Sequence, residues 1–280
     1  MKSNLEIYVR MAKSGEKNGL ENLVHHIQDR IYGLAIRMLY SPYDAEDATQ
    51  EILIKVITHL SDFRGNSSFT TWMYRIATNH LLNYKRSSKK YKDISFEQWE
   101  SEIVKKDIGS WQEELSEAQQ AIVVEEIRIS CLQGLLLCLD GGHRVAYILT
   151  EIFDVTSQQG AQVLEVTPGA FRKRTSRARM KIRDFMHNNC SLINEKNPCY
   201  CEKEAVSQIN NREVDPDNVM FATHPCRIKN KKDTLLRLKE LDEIERIAML
   251  FKNSPNIASP DFAKPLTDIL SSRKFKILET

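Results

Sequence analysis

Asp44, Glu46, Asp47, Gln50 and Glu51 place four carboxylates and one amide within eight residues. Carboxylates near a helix start gain about 0.3–1 kcal/mol each from the helix dipole, which accounts for one or two of them. Asp44, Asp47 and Glu51 fall on one face, where they repel one another unless a basic partner arrives. That arrangement suits docking onto a basic protein surface. It is no catalytic pair, and nowhere does the chain offer a nucleophile beside a base, a phosphate-cradling glycine loop or a two-histidine metal motif.

A second group follows at Arg64-Gly65-Asn66-Ser67-Ser68. Glycine admits a close backbone approach, and Arg64, Asn66, Ser67 and Ser68 supply hydrogen-bonding groups for a base edge. Proteins that draw a base out of a duplex need a small polar pocket of this kind beside a basic groove. Arg75, Asn79 and Asn83 recur every four residues and share a helix face; Lys85 and Arg86 end the same run. Arg and Asn read base edges, while Lys and Arg neutralise phosphates. A solvated helix face is the competing reading, and Trp72 reads as core rather than as a stacking platform.

The stretch 157–179, SQQGAQVLEVTPGAFRKRTSRAR, has helix-turn-helix form. Ser157 is placed to cap a short helix ending near Leu164, Glu165-Val166 makes the turn, and Thr167-Pro168 supplies N-cap and first helical residue. The second helix of such a motif points its N-terminal residues into the major groove, which here offers Arg172, Lys173, Arg174 and Arg177. Phe171 and Ala178 face inward. Residues 171–183 hold seven basic residues and no acidic one, and such a density repels itself unless phosphate neutralises it.

The cysteines divide into two groups. Cys131 and Cys138 lie in an apolar helical run and read as small core hydrophobes. Cys190, Cys199, Cys201 and Cys226 lie in a polar tail, where thiolates at this spacing can take zinc or another soft metal. Cys226, His224 or His187 would complete four ligands. A redox pair and unliganded surface cysteines stand beside that reading.

The elements that must position these groups are helical throughout. Apolar residues recur every three or four positions over 5–40, 44–60 and 69–86, again within 111–189, and over about 232–252, where Leu235, Leu238, Leu241, Ile244, Ala248 and Phe251 form a stripe. No strand alternation is present. The expected fold is all-α: a helical domain over 5–86, a polar linker over 87–118, a helix-turn-helix domain over 119–189 and a mostly helical extension over 190–280. With 280 residues, 41% hydrophobic, 28% charged and a net charge of +2, the composition is that of a globular protein rather than a polycation. No apolar run reaches the ~20 residues of a membrane span, and the N-terminus lacks a signal-peptide core. A cytoplasmic protein is expected.

DAEDATQE, FRGNSSFTTWMYRIATN and the helix-turn-helix ending SRAR together resemble a bacterial RNA polymerase sigma factor of the extracytoplasmic-function (ECF) class, within the sigma-70 family. The resemblance spans about 20–86 and 119–186. It implies that Asp44, Glu46, Asp47, Gln50 and Glu51 dock on the β′ clamp helices of core RNA polymerase, with the β flap as a further contact. It implies that 64–68 and the helix from Phe69 open the −10 element, and that Arg172, Lys173, Arg174 and Arg177 meet the −35 element. The protein would be a non-catalytic specificity subunit for promoter DNA, requiring no cofactor, with an anti-sigma factor left open as a further partner. Two residues depart from the pattern. Gly160 replaces an apolar residue and weakens the first motif helix by ~1 kcal/mol; Glu165 replaces the usual turn glycine. The extension, similar to CxC-bearing tails of larger members, is read as regulating the factor in cis by folding back on a DNA-binding domain. The alternatives are a free-standing helix-turn-helix regulator, which has no use for the acidic face, and a metal-binding sensor module on a helical scaffold.

Overall fold

The computed structural model describes residues 2–87, 95–103, 111, 115–222, 242–254 and 259–266. In chain order it contains α1 (Lys2–Lys13), α2 (Lys17–Leu39), α3 (Pro42–Thr58), a 3-10 turn (Leu60–Asp62), α4 (Phe69–Ser87), α5 (Phe96–Ile103), α6 (Glu117–Leu137) and α7 (Gly141–Tyr147). A π turn (Ile148–Ile152) leads on to α8 (Ser157–Leu164), α9 (Pro168–Asn189), α10 (Cys201–Asn210) and α11 (Glu243–Lys252). Among the described residues there is no strand, only one isolated bridge between Cys190 and Cys199. The fold is all-α, as expected. The chain divides into two compact units, one of residues 1–91, 156–171 and 258–280, the other of 92–155 and 172–257.

In the first unit, α2, α3 and α4 pack around one core. The expected α2 stripe, Leu20, Leu23, Val24, Ile27, Ile31, Leu34, Ala35, Met38 and Leu39, is buried throughout. The single run expected over 5–40 is two helices. Gly15 takes φ +81, a left-handed conformation that suits glycine and ends α1. Ser41 caps α3, its Oγ accepting from Asp44 N at 3.2 Å, with Pro42 in the first turn. Ser68 caps α4 in the same way, accepting from Thr71 N at 3.2 Å.

The cap of α8 is Thr156 rather than Ser157. Its hydroxyl and the Gln159 side chain form a reciprocal capping box. Gly160 is a packing necessity here: a Cβ there would stand 2.1 Å from Phe171 Cζ, and the Phe171 ring is itself buried. Gly160→Ala is expected to lose about 1–3 kcal/mol from overpacking, outweighing the ~1 kcal/mol that alanine returns in helix propensity. The midpoint of urea unfolding checks it, and a stabilised variant overturns the packing argument. Glu165 accepts the left-handed turn position without glycine, at φ 52.

In the second unit, α5 occupies part of the stretch expected as linker, with Phe96 and Trp99 against Phe185 at ring centroid distances of 5.6 and 5.9 Å. α6 packs on α10 through Val123, Ile127, Ala205 and Ile209. The C-terminal end of α6 is closed by Arg144, a fully buried side chain. Its Nε donates to Leu136 O at 2.7 Å, and its Nη2 to Leu137 O and Leu139 O at 2.8 Å each. Buried Glu126 accepts from the backbone N–H groups of Met220, Phe221 and Ala222 at 2.7–3.1 Å, which fastens the end of the 190–222 segment to α6. Of the helix expected over 232–252, α11 is described, with Ile247, Leu250 and Phe251 buried and Ile244, expected inward, exposed. Leu235, Leu238 and Leu241 lie outside the described residues.

Candidate nucleic-acid interface and acidic face

The five residues of the acidic group do not share one environment. Asp44 is buried, and Tyr84 OH donates to its Oδ1 at 3.3 Å. Glu46 and Gln50 are half-buried, while Asp47 and Glu51 are exposed. Glu51 lies 3.6 Å from His80 Nε2, and Lys55 Nζ sits 2.6 Å from His80 Nδ1. Burial, reinforced by Lys55 and opposed by Glu51, holds the His80 imidazole below its ordinary pKa, so the ring is a neutral bridge between α3 and α4. Burial, with Glu46 adding to it, pushes the Tyr32 phenol up to about 12, which marks Tyr32 of α2 as a neighbour of the acidic face. The open acids of this face are therefore Asp47 and Glu51.

The 64–68 loop is exposed except for half-buried Ser67. It is backed by an aromatic trio, with Phe63–Phe69, Phe63–Trp72 and Phe69–Trp72 centroids at 5.4, 5.5 and 5.6 Å. Trp72 is buried in that trio, as its reading as core required. Beside the loop lies a cavity of about 330 Å³ lined by Arg64, Asn66, Ser67, Trp72, Arg75 and Gln162, among others, within the size range of small-ligand clefts. Arg75, Asn79 and Asn83 are exposed together along α4. α4 continues through Lys85 and Arg86, whose side chains lie outside the described residues.

Sequence reasoning did not anticipate what lies on this surface. Within the first unit α8 packs against α4, Arg75 Nη1 stands 3.8 Å from Glu165 Oε1, and Gln162 completes the cavity wall. The helix-turn-helix thus begins on the face that the loop and α4 present. Opposite charges at positions 75 and 165 were the sole hint of it. A partly exposed pair of this kind is worth at most ~1 kcal/mol.

In α9, Arg172, Lys173 and Arg177 are exposed and Arg174 is half-buried. Thr167 caps the helix, accepting from Ala170 N at 3.1 Å. Two other basic residues are engaged by carboxylates, Arg179 by Glu151 at 2.6 Å and Arg183 by Asp184 at 2.6 Å. Arg172, Lys173 and Arg177 stand on the exposed side of the helix, and Phe171 and Ala178 are buried as expected.

Cys190 and Cys199 pair across the isolated bridge, and Cys201 opens α10. Cys226 and His224 lie outside the described residues. His187, named as a completing ligand, is instead paired with Glu243 at 2.8 Å. Cys131, expected to be an inert core residue, lies within electrostatic reach of Cys190, Cys199 and Cys201. Burial first, and the neighbouring thiols next, hold Cys131 well above an ordinary thiol and push Cys201 up to about 12. Among the described residues no three His, Cys, Asp or Glu side chains are gathered as a ready-made metal centre.

Residues 259–266 return to the first unit and lie on α2. Phe262 N donates to Gln28 Oε1 at 3.1 Å, Ser259 Oγ donates to Asp29, and the Phe262 ring lies 6.5 Å from Tyr32. Asp261 stands 3.9 Å from His25, and Phe262, Ala263 and Leu266 are buried. No described helix is long and apolar enough to cross a membrane.

Residues 23–91 match the family model for sigma-70 region 2. The chain is 32% identical over 182 residues to RNA polymerase sigma-H factor of Pseudomonas aeruginosa, covering 62% of this chain and 89% of that protein. It is 28% identical over 182 residues to ECF RNA polymerase sigma factor SigW of Bacillus subtilis, covering 62% and 92%. A solved structure, the sigma factor RpoE in complex with the anti-sigma factor NepR from Bartonella quintana, aligns over 59% of this chain and 94% of that chain at 16% identity, with a TM-score of 0.42.

Proposed function

Because this chain belongs to the RNA polymerase sigma factors of the sigma-70 family, in the extracytoplasmic-function class, we propose that it binds core RNA polymerase and directs promoter recognition and strand opening. The polymerase supplies the chemistry and this chain supplies none. Residues 5–86 form the polymerase-docking and −10 module, and 119–189 the −35 module, with 87–118 joining them. Asp47 and Glu51 lead the docking on the β′ clamp, with Glu46 and Gln50 beside them and Asp44 holding the face to α4 through Tyr84. Arg64, Asn66, Ser67 and Ser68, with Arg75, Asn79, Asn83, Lys85 and Arg86, receive the opened −10 strand. Arg172, Lys173, Arg174 and Arg177 take the −35 duplex. The site of action is the cytoplasm, where the polymerase and promoter are.

The observation that carries this reading is the exposed Arg75-Asn79-Asn83 face beside the polar 64–68 loop, on the same small unit as the acidic start of α3. A free-standing duplex-binding regulator would need neither. Gel filtration of the full chain with bacterial core RNA polymerase tests it, followed by transcription from fragments of the source genome. Co-elution and protein-dependent transcript starts are expected. Elution apart from core polymerase, with duplex binding retained, would favour the free-standing regulator.

We propose further that the extension regulates the factor in cis. Residues 259–266 lie on α2 against Tyr32, which borders Glu46 of the docking face. A tethered segment competes at a high effective concentration. α8 on α4 adds to the closure, since an incoming strand requires that surface. Ending the chain at residue 254 is expected to tighten core polymerase binding several-fold in a titration; unchanged affinity sinks the regulatory reading.

A further inference from the structure

We infer that Glu165 is a built-in phosphate mimic. It occupies Arg75 and holds α8 over the cavity beside the 64–68 loop until DNA displaces it, so the free factor is gated against single strands. The inference rests on the reading of this surface as the one that receives the opened strand, and it names the residue of the helix-turn-helix that closes it.

Glu165, Gln162, Arg75 and the 64–68 loop all belong to the first unit. Glu165 takes φ 52 at the C-terminal end of α8, where its own N–H and that of Val166 both donate to Ala161 O. Glycine enters this left-handed region freely, whereas the Cβ of an L residue crowds the following carbonyl oxygen there. The turn by itself therefore favours glycine. A long charged side chain held in such a conformation is the kind of outlier that marks a functional position.

The side chain reaches α4. Its Oε1 stands 3.8 Å from Nη1 of Arg75, the guanidinium that heads the exposed Arg75-Asn79-Asn83 line. A guanidinium takes carboxylate and phosphate oxygens with the same fork of N–H groups, so this carboxylate stands where a strand phosphate would bind. Gln162 lies three residues earlier, on the same side of α8. It lines the cavity of about 330 Å³ together with Arg64, Asn66, Ser67 and Arg75. α8 thus walls the space that an opened strand must enter, and Glu165 ties that wall to the basic residue of α4.

The side chains of Arg75 and Glu165 are 44% and 69% exposed, so the pair is weak. Weakness suits a gate, because a DNA strand carries many phosphates and one carboxylate yields to them. A protein that is closed most of the time binds with an affinity reduced by its open fraction, and loss of the pair raises that fraction.

The test is fluorescence anisotropy of a short labelled oligothymidylate with the full chain at low salt. Wild type is compared with Glu165→Gln, Glu165→Gly, Arg75→Gln and the double variant Glu165→Gln/Arg75→Gln. Glycine suits the backbone at this turn, so Glu165→Gly keeps the fold. Single-strand affinity is expected to rise about two- to fivefold in both Glu165 variants, the range that so exposed a pair returns. The gain is expected to vanish in the Arg75→Gln background, where the mimic has lost its target. Unchanged affinity in both Glu165 variants overturns the inference. So does an equal gain with and without Arg75, which means only that one acid fewer repels DNA. Absence of binding by every variant overturns instead the underlying reading, that this surface receives the strand.

Discussion

Asp47→Lys with Glu51→Lys is expected to weaken binding to core RNA polymerase by at least tenfold, with the fold intact. The two carboxylates are the open members of the acidic group, so reversing them changes the field seen by a basic partner without emptying a buried site. Apposed like charges at an interface cost several kcal/mol, and tenfold corresponds to about 1.4 kcal/mol. Asp44→Lys is the poorer test, because it would bury an ammonium where Tyr84 now donates. A binding titration with core polymerase checks the prediction at two salt concentrations. The deficit should be largest at low salt, as screening requires. Wild-type affinity in the double variant would remove this face from the docking surface. Glu51→Lys alone also strips His80 of its carboxylate neighbour, so thermal unfolding of each single variant should accompany the titration.

Arg144→Ala is expected to cost about 3–5 kcal/mol of stability, from the three carbonyls it leaves bare at the C-terminal end of α6 and the cavity left behind. The guanidinium is fully buried and bonds Leu136 O, Leu137 O and Leu139 O at 2.7–2.8 Å. A positive group at a helix C-terminus also answers the helix dipole. Arg144→Lys should recover only part of the loss, since an ammonium is a point charge and cannot span three carbonyls as a planar fork does. The midpoint of urea unfolding reads both variants. A loss below about 1 kcal/mol in Arg144→Ala would mean that water or a neighbouring side chain takes over those carbonyls.

Much of the architecture was legible because its causes are local. The caps at Ser41 and Thr167, the proline starts at Pro42 and Pro168 and the buried stripe of α2 follow from helical period and backbone hydrogen-bonding needs, which neighbouring residues settle among themselves. The exposed line Arg75-Asn79-Asn83 and the basic face of α9 are of the same kind. The shift of the α8 cap from Ser157 to Thr156 has a local reason too: Thr156 has Gln159 three residues on to complete a capping box, and Ser157 has Gly160.

What the amino-acid order by itself determined is thus the helices, their faces and the two kinds of surface they offer, acidic and DNA-reading. The tertiary structure alone decided which of those groups are open and which are spent inside. Asp44 meets Tyr84 forty residues away, Gly160 yields its space to Phe171, and Arg144 turns back onto the end of α6. α8 comes to rest on α4, and 259–266 on α2. Each of these is a contact between segments distant in sequence. Periodicity records which side of a helix is apolar, but not which helix will cover it, and that choice is made only when the whole core packs to close density.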